Sequence, residues 1–341
     1  MSGQLRVERW TLLSRVFTGG VAAVAVALFF VPIALSANVT QKLTSLLILV
    51  LLAMMWNALA GYGGLVSVGQ QAFIGIGAYG TVYLCDHGVT PYLAMVLSAL
   101  FSGVLAIPVS LLMLRLRAAQ FSIGMWVVAE TFALLVALDQ SLGGGTGTSL
   151  IELNAFTPGA RQEYTYWLTL GFATCFLVLL FVLLRSRLGA SLQAIRDDEQ
   201  AAASVGVRVM AGKRVLFVIA AAGCGAAGAM TLANTLFIEP TSIFSVQWTA
   251  YMIFMVLVGG LGTFEGPIIG AVLLFLIQNE YSNSGVWYLV GLGATAMAFA
   301  LVLPRGIWGT IEERFGIRLM PVGYRLSRTA ELVRRRRKGA T

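Results

Sequence analysis

Residues 63–80 read GGLVSVGQQAFIGIGAYG. The stretch contains GIGAYG, a formal match to the dinucleotide fingerprint G-x-G-x-x-G, with Ser67, Gln70 and Gln71 just ahead of it. That fingerprint has its meaning only between a strand and a helix of a βαβ unit. Here the flanks are AMMWNALAGY and TVYLC, inside a long apolar region. A Walker A motif is absent too, because Lys42, Lys213 and Lys338 are followed by Leu, Arg and Gly. The stretch therefore reads as broken membrane helix and not as a nucleotide loop.

The composition agrees. Of the 341 residues, 58% are hydrophobic and 11% charged, whereas soluble domains carry roughly 25% charged residues. A bilayer core of about 30 Å needs about 20 apolar residues per helix. Residues 17–36, 43–61, 92–114, 120–139, 165–184, 215–238 and 286–303 meet that need. The 38 glycines fit as well, since small residues let membrane helices approach closely. The expected fold class is all-α: a polytopic transmembrane bundle of about ten helices with short Gly-broken or re-entrant segments. The start, MSGQLRVERWTLLSR, resembles a signal peptide, with Ala34-Leu35-Ser36 as a weak small-x-small site. Continuing start and stop signals favour an uncleaved first helix. Cys85, Cys175 and Cys224 are far apart and read as apolar fillers.

Charge orders the spans. If 64–84, 247–260 and 267–281 also cross, ten helices put both chain ends on one side. That side receives 21 of the 23 Lys and Arg residues, and only Lys42 and Arg161 fall opposite. The positive-inside rule makes the basic side cytoplasmic. The expected division is a cytoplasmic N-terminal tail at 1–16, a transmembrane domain at 17–304 with a cytoplasmic loop at 185–214, and a basic cytoplasmic tail at 305–341. Residues 247–260 and 267–281, joined by GGLGTFEGP, form either two short spans or one re-entrant pair; the parity is the same.

Wound as a helix from Ser67 to Gly80, the opening stretch has two faces. Gly69, Ala72, Gly77 and Gly80 make a smooth one, suited to tight packing. Ser67, Gln70 and Gln71 make a polar one that cannot look at lipid, so it is either glue between helices or the wall of a polar path at mid-depth. The break GYGG at 61–64 frees backbone groups close to Asn57. Glu130, in the middle of an apolar helix, is expected to face the bundle, as a structural partner or on the path. The candidate path residues are Asn57, Ser67, Gln70, Gln71 and Glu130.

The longest internal hydrophilic segment runs from 185 to 214. Wound from Gly189 to Gly206, it places Leu192, Ile195, Ala202, Ala203 and Gly206 on one face, and Gln193, Arg196, Asp197 and Gln200 on another. Such an amphipathic helix needs an apolar surface, and a groove on a partner would serve. His87 is the sole histidine and cannot complete a zinc site, so no metal or cofactor is expected. The tail RRRRK at 334–338 suits anionic lipid better than nucleic acid. No G-x-S-x-G and no second histidine support an enzyme.

NALAGYGGLVSVGQQAFIGIGAYG, at 57–80, resembles the signature of LivM-type permeases, the membrane subunits of bacterial ABC importers for branched-chain amino acids and related small polar solutes. Three further blocks are similar in the same order: LRLRAAQFSIGMWVVAETF (114–132) with GGGTG (143–147), RSRLGASLQAIRDDEQAAASVG (185–206), and GGLGTFEGPIIGA (259–271). Gln70 stands where many relatives have His, and Ala118-Ala119-Gln120 where they often have a Gly-Tyr-like pair. The 185–206 block is similar to an EAA-type coupling motif through Glu199, Ala201, Ala202 and Gly206, with seven positions and not six between Glu199 and Gly206.

The resemblance implies a permease subunit of an ATP-driven importer in the bacterial inner membrane, without a nucleotide site of its own. It implies a homologous permease subunit as heterodimer partner, two cytoplasmic ATPase subunits, a periplasmic or extracellular solute-binding protein, and the lipid bilayer. It assigns ATPase coupling to Leu192, Ile195, Arg196, Asp197, Glu199 and Gly206. The alternative is a secondary transporter or channel for a small polar solute such as urea or an amide.

Overall fold

The computed structural model describes residues 6–8, 20, 23–117, 119–281, 285–315 and 325–327. Ala118, the 334–338 basic run and most of the 1–16 segment lie outside the described residues. Helical turns over 23–29 lead into α1 (Val31–Ala34). The bundle then runs through α2 (Ala37–Asn57), α3 (Gln71–Asp86), α4 (Pro91–Met113), α5 (Ala119–Leu138) and α6 (Pro158–Arg185). Two short helices, α7 (Arg187–Asp197) and α8 (Glu199–Ser204), link α6 to α9 (Val209–Thr235). A short α10 (Pro240–Ile243) precedes the hairpin of α11 (Val246–Gly259) and α12 (Gly266–Tyr281), followed by α13 (Val286–Val302) and α14 (Gly306–Phe315). Strands are vestigial: β1 (Arg6–Glu8) pairs with β4 (Arg325–Ser327), and β2 (Thr148–Ser149) with β3 (Phe237–Ile238).

The chain is an all-α polytopic membrane protein. Among the described residues seven helical spans are long and apolar enough to cross a bilayer, counting α10 with α11 and α13 with α14, and α12 is a shorter apolar helix. The cross-bundle contacts sort the connections into two ends. Residues 61, 196, 262 and 306 gather at a basic end, while Tyr92 meets Arg161 and β2 meets β3 at the far end.

Helix α9 is the axis, packing against α4, α3 and α2. Between helices in lipid there is no hydrophobic driving force, so close van der Waals approach must supply the cohesion. The run AAAGCGAAGA in α9 permits it. A Cβ on Gly77 of α3 would stand 2.0 Å from the carbonyl oxygen of Gly225, and one on Gly228 would stand 1.9 Å from that of Ile74. The smooth face expected of the opening stretch divides: Gly77 meets α9, while Gly69 lies against Met125 of α5 and Gly80 against Ser98 of α4. Burial falls off from the axis: 78% of the most apolar part of α2 and its extension is buried and 72% of that of α9, but only 17% of α5 and 6% of the span from Trp287 to Phe315. Helices α5 and α13 thus offer their sides to lipid or to another chain.

One local expectation fails. The stretch from Ser67 is not helical until Gln71. Helix α2 widens into a π-helical turn at Ala58–Tyr62, and Gly64 then takes a left-handed φ of 66°. Residues 64–70 run without helical structure, folded back into the bundle.

Candidate functional site

The non-helical return places the polar residues of the opening stretch inside. Ser67, Gln70 and Gln71 are fully buried. Irregular backbone within a membrane protein persists only where its polar groups are satisfied by protein or a water-filled cavity. Here side chains do it. Trp56 Nε1 donates to the carbonyl of Ser67 at 2.9 Å. Ser67 Oγ accepts from Gln70 Nε2 at 3.2 Å, and Gln71 Nε2 donates to the carbonyl of Val68 at 3.1 Å. Thr249 of α11 donates to Gln71 Oε1, and the thiol of Cys224 reaches Gln70 Oε1 at 3.7 Å. Cys224 is about half-way along α9, so the seam sits at half-depth in the bundle. Sequence reasoning missed Trp56, Cys224 and Thr249; their only signal was a polar or sulfur atom on an apolar helix.

Asn57, also fully buried, is a bolt between two Gly-rich breaks. Its Nδ2 donates to the carbonyl of Thr263 at 2.8 Å, and its Oδ1 accepts from the amide of Gly262 at 2.9 Å. The α11–α12 turn, GGLGTFEGP, is thereby tied to the end of α2. There is no spare room: a Cβ on Gly61 would meet Asn57 Oδ1 at 2.4 Å and the amide nitrogen of Gly262 at 2.6 Å.

Arg196 of α7 closes the same junction. Its Nη1 donates to the carbonyl of Gly61 at 2.9 Å. Carbonyls of a last helical turn have no intrahelical partner, and the guanidinium supplies one. Its Nε and Nη2 donate to Asp197 Oδ1 at 2.9 and 2.8 Å, which fixes the side chain's direction. Backbone and side chain of Arg196 also lie against Gly64 and Gly262. Three segments that are separate in sequence, 57–64, 185–206 and 259–271, thus meet at one point.

The loop helix departs from expectation in two ways. It is broken at Asp198, whose φ of −156° ends α7 and whose Oδ1 caps α8, accepting from the amides of Gln200 and Ala201 at 2.9 and 3.0 Å. A side chain that bonds nearby backbone in this way competes with helix continuation. Second, Leu192 and Ile195 need no partner's groove. They are buried within this chain, where their methyl groups border Gly212 of α9. What remains outward is the end of α7 and all of α8 except Ala202: Asp197, Glu199, Ala201, Ala203, Val205 and Gly206 are exposed. Glu199 Oε2 pairs with Lys213 Nζ at 2.7 Å, tying the exposed part to the start of α9. Gly206, with φ 86°, makes the turn into α9.

Glu130 corrects another expectation. It does not face this chain's bundle but is exposed, half-way along α5, accepting from Trp126 Nε1 at 3.1 Å. Only Phe121, Met125 and Ala129 of α5 are buried. These three take the packing stripe, and Glu130, one position on from Ala129, is turned outward.

The five candidate path residues therefore divide. Ser67, Gln70 and Gln71 form one network, Asn57 belongs to the junction with Arg196, and Glu130 stands apart. Against known proteins, residues 38–304 match the family model described as branched-chain amino acid transport system / permease component. The chain is similar to the high-affinity branched-chain amino acid transport system permease protein LivM of Salmonella typhimurium, 26% identical over 88% of this chain and 76% of that one. The LivM of Escherichia coli K12 is 25% identical over the same shares. A probable branched-chain amino acid transport permease protein LivM of Methanocaldococcus jannaschii is 26% identical over 54% of each chain. The match to the family model spans the whole helical bundle from α2 to α13, and the chain belongs to the family of branched-chain amino acid transport permease components.

Proposed function

We propose that this permease is one half of the membrane part of an ATP-driven importer for branched-chain amino acids or related small polar solutes. The basic end faces the cytoplasm, where positive charge is retained. There two ATPase subunits engage the exposed surface of α7 and α8. A homologous permease subunit covers α5, and a solute-binding protein delivers solute at the far end.

The observation that carries this reading is the contact of Arg196 with Gly61. A push on α7 and α8 reaches, through one side chain, the π-turn of α2 and the turn between α11 and α12. From Gly64 the chain runs directly to Ser67 and Gln70 at half-depth. Short, broken helices beginning inside a bundle are what transport sites are often built from. Glu130 belongs to the path on the side turned toward the second permease: a carboxylate amid apolar side chains is costly against lipid and suits a water-filled or subunit-covered surface. The lever and the seam supply alternating access, and ATP hydrolysis stays with the partner subunits.

The test is reconstitution. The full assembly in proteoliposomes, given ATP, is expected to concentrate leucine above its outside level, and Arg196→Ala to lower that accumulation more than it lowers assembly. The half-depth break at 64–70 also suits a secondary transporter or channel; leucine flux through this chain alone, without ATP, would favour that reading.

A further inference from the structure

A polar concavity opens at the far end of the bundle, away from the seam. Gln41 and Thr44 of α2, Arg161, Gln162 and Thr165 of α6, and Asn234 of α9 line a cavity of about 300 Å³. That lies at the small end of the range for small-molecule pockets. Thr44 and Thr165 are buried, whereas Gln41 is exposed and Arg161 and Gln162 are half-buried, so the threonines lie deep and the longer side chains border the opening. Among the described residues no carboxylate lines the cavity, and the side chains of Gln41, Arg161 and Gln162 are engaged in no hydrogen bond or ion pair.

Two further observations single it out. Among the described residues the far end is acidic, with Asp86, Asp139, Glu152, Glu163, Glu239 and Glu280 set against Lys42 and Arg161. A solute carboxylate arriving there is repelled nearly everywhere and attracted at few places, and this cavity is one of them. Leu236, which also lines the cavity, is the one non-glycine residue with a left-handed φ, 65°, among the described residues. Its amide donates to the carbonyl of Leu232 at 2.7 Å, and its own carbonyl accepts from Leu150 at 3.1 Å. Such a conformation persists only where surrounding structure over-determines it, and it tends to mark ligand sites.

We infer that this cavity is a subsite for the carboxylate of a small organic acid or amino acid, with Arg161 as the cationic anchor and Gln41 and Gln162 as amide donors. A guanidinium offers two parallel N–H donors to a carboxylate, which a neutral amide group cannot match. The site's place at the start of a transport path rests on the importer reading above; its chemistry does not.

The experiment is ligand-observed NMR on the purified full chain in detergent micelles, with isovalerate as probe and its neutral isostere isovaleramide beside it. Isovalerate is expected to bind about tenfold more tightly than isovaleramide, the ratio that loss of one charge-assisted hydrogen bond brings. Arg161→Gln is expected to erase the difference, and Arg161→Lys to restore part of it. The comparison of the two probes on the unaltered chain needs no variant to fold. Equal binding of the two probes, or a preference that survives Arg161→Gln, would overturn the assignment. A carboxylate preference in a chain whose full assembly accumulates no leucine would uphold the subsite and sink the importer reading instead.

Discussion

Nη1 of Arg196 lies 2.9 Å from the carbonyl oxygen of Gly61, so a residue of the α7 loop helix holds the last turn of α2. Asn57, one helical turn before Gly61, holds the backbone of Gly262 and Thr263 on its other side. The three segments therefore move as one body or separate at a cost. A hydrogen bond from a charged donor contributes about 1.5–3 kcal/mol, the lower end applying to a partly exposed side chain such as this one.

Arg196→Ala is expected to weaken coupling, not folding. Leucine accumulation by the assembled transporter should fall about tenfold or more, the ratio that corresponds to the lower figure. ATP hydrolysis should persist. Parallel measurement of hydrolysis and uptake in proteoliposomes checks this; equal loss of both would point to failed assembly.

Asn57→Ala removes a donor and an acceptor at once and leaves the half-buried Gly262 amide and Thr263 carbonyl without them. A buried group so stranded costs about 1–3 kcal/mol, and the lower end applies to these two. The variant is expected to unfold at a lower temperature in detergent than the unaltered chain, and Asn57→Asp, which keeps an acceptor for Gly262, to fall between them. An unchanged transition in Asn57→Ala would show that the junction is not held by this side chain.

The α3–α9 contact predicts opposite outcomes for one substitution at two places. Gly77→Ala would put a methyl carbon 2.0 Å from the Gly225 carbonyl oxygen, and overpacking of this kind costs about 1–3 kcal/mol. Gly171→Ala in α6 meets nothing within 4 Å, and there alanine gains about 1 kcal/mol of helix propensity. The first should lower the thermal transition and the second should leave it level or raise it.

Glu130→Gln is expected to reduce uptake without lowering the yield of folded protein, because within this chain the carboxylate accepts a hydrogen bond from Trp126 that the amide oxygen can also accept. Yield by size-exclusion chromatography, set beside initial uptake rates, decides between a path role and a structural one. Loss of the monodisperse peak would show that the side chain is needed for folding or assembly.

Much of this was legible because hydropathy and charge act at long range along the chain. Apolar runs such as 92–114, 120–139 and 165–184 become long helices, and Lys42 and Arg161 lie at the far end. Local breaks were harder. A wheel drawn from Ser67 assumes a helix that the left-handed Gly64 and the non-helical run to Gln70 do not allow, yet the same three polar residues still end up together. A helix wound without a break from Gly189 to Gly206 runs through Asp198, which is a cap that divides it. The amphipathic pattern identified Leu192 and Ile195 as a buried face, but periodicity does not say which surface buries them; Gly212 of the same chain does. The cost of a charge in lipid puts Glu130 inside, but that rule concerns the whole assembly and not one subunit of it, and in this chain Glu130 is exposed. Asn57 and Gly262 are 205 positions apart, and nothing local pairs them.

The most direct measurement is leucine content of proteoliposomes holding the complete assembly, with ATP supplied on the side of the ATPase subunits and then withheld. Accumulation above the external concentration that requires both ATP and the ATPase subunits is the expected result. Downhill leucine flux through this chain alone, or full accumulation after residues 187–206 are replaced by a flexible linker, would contradict it.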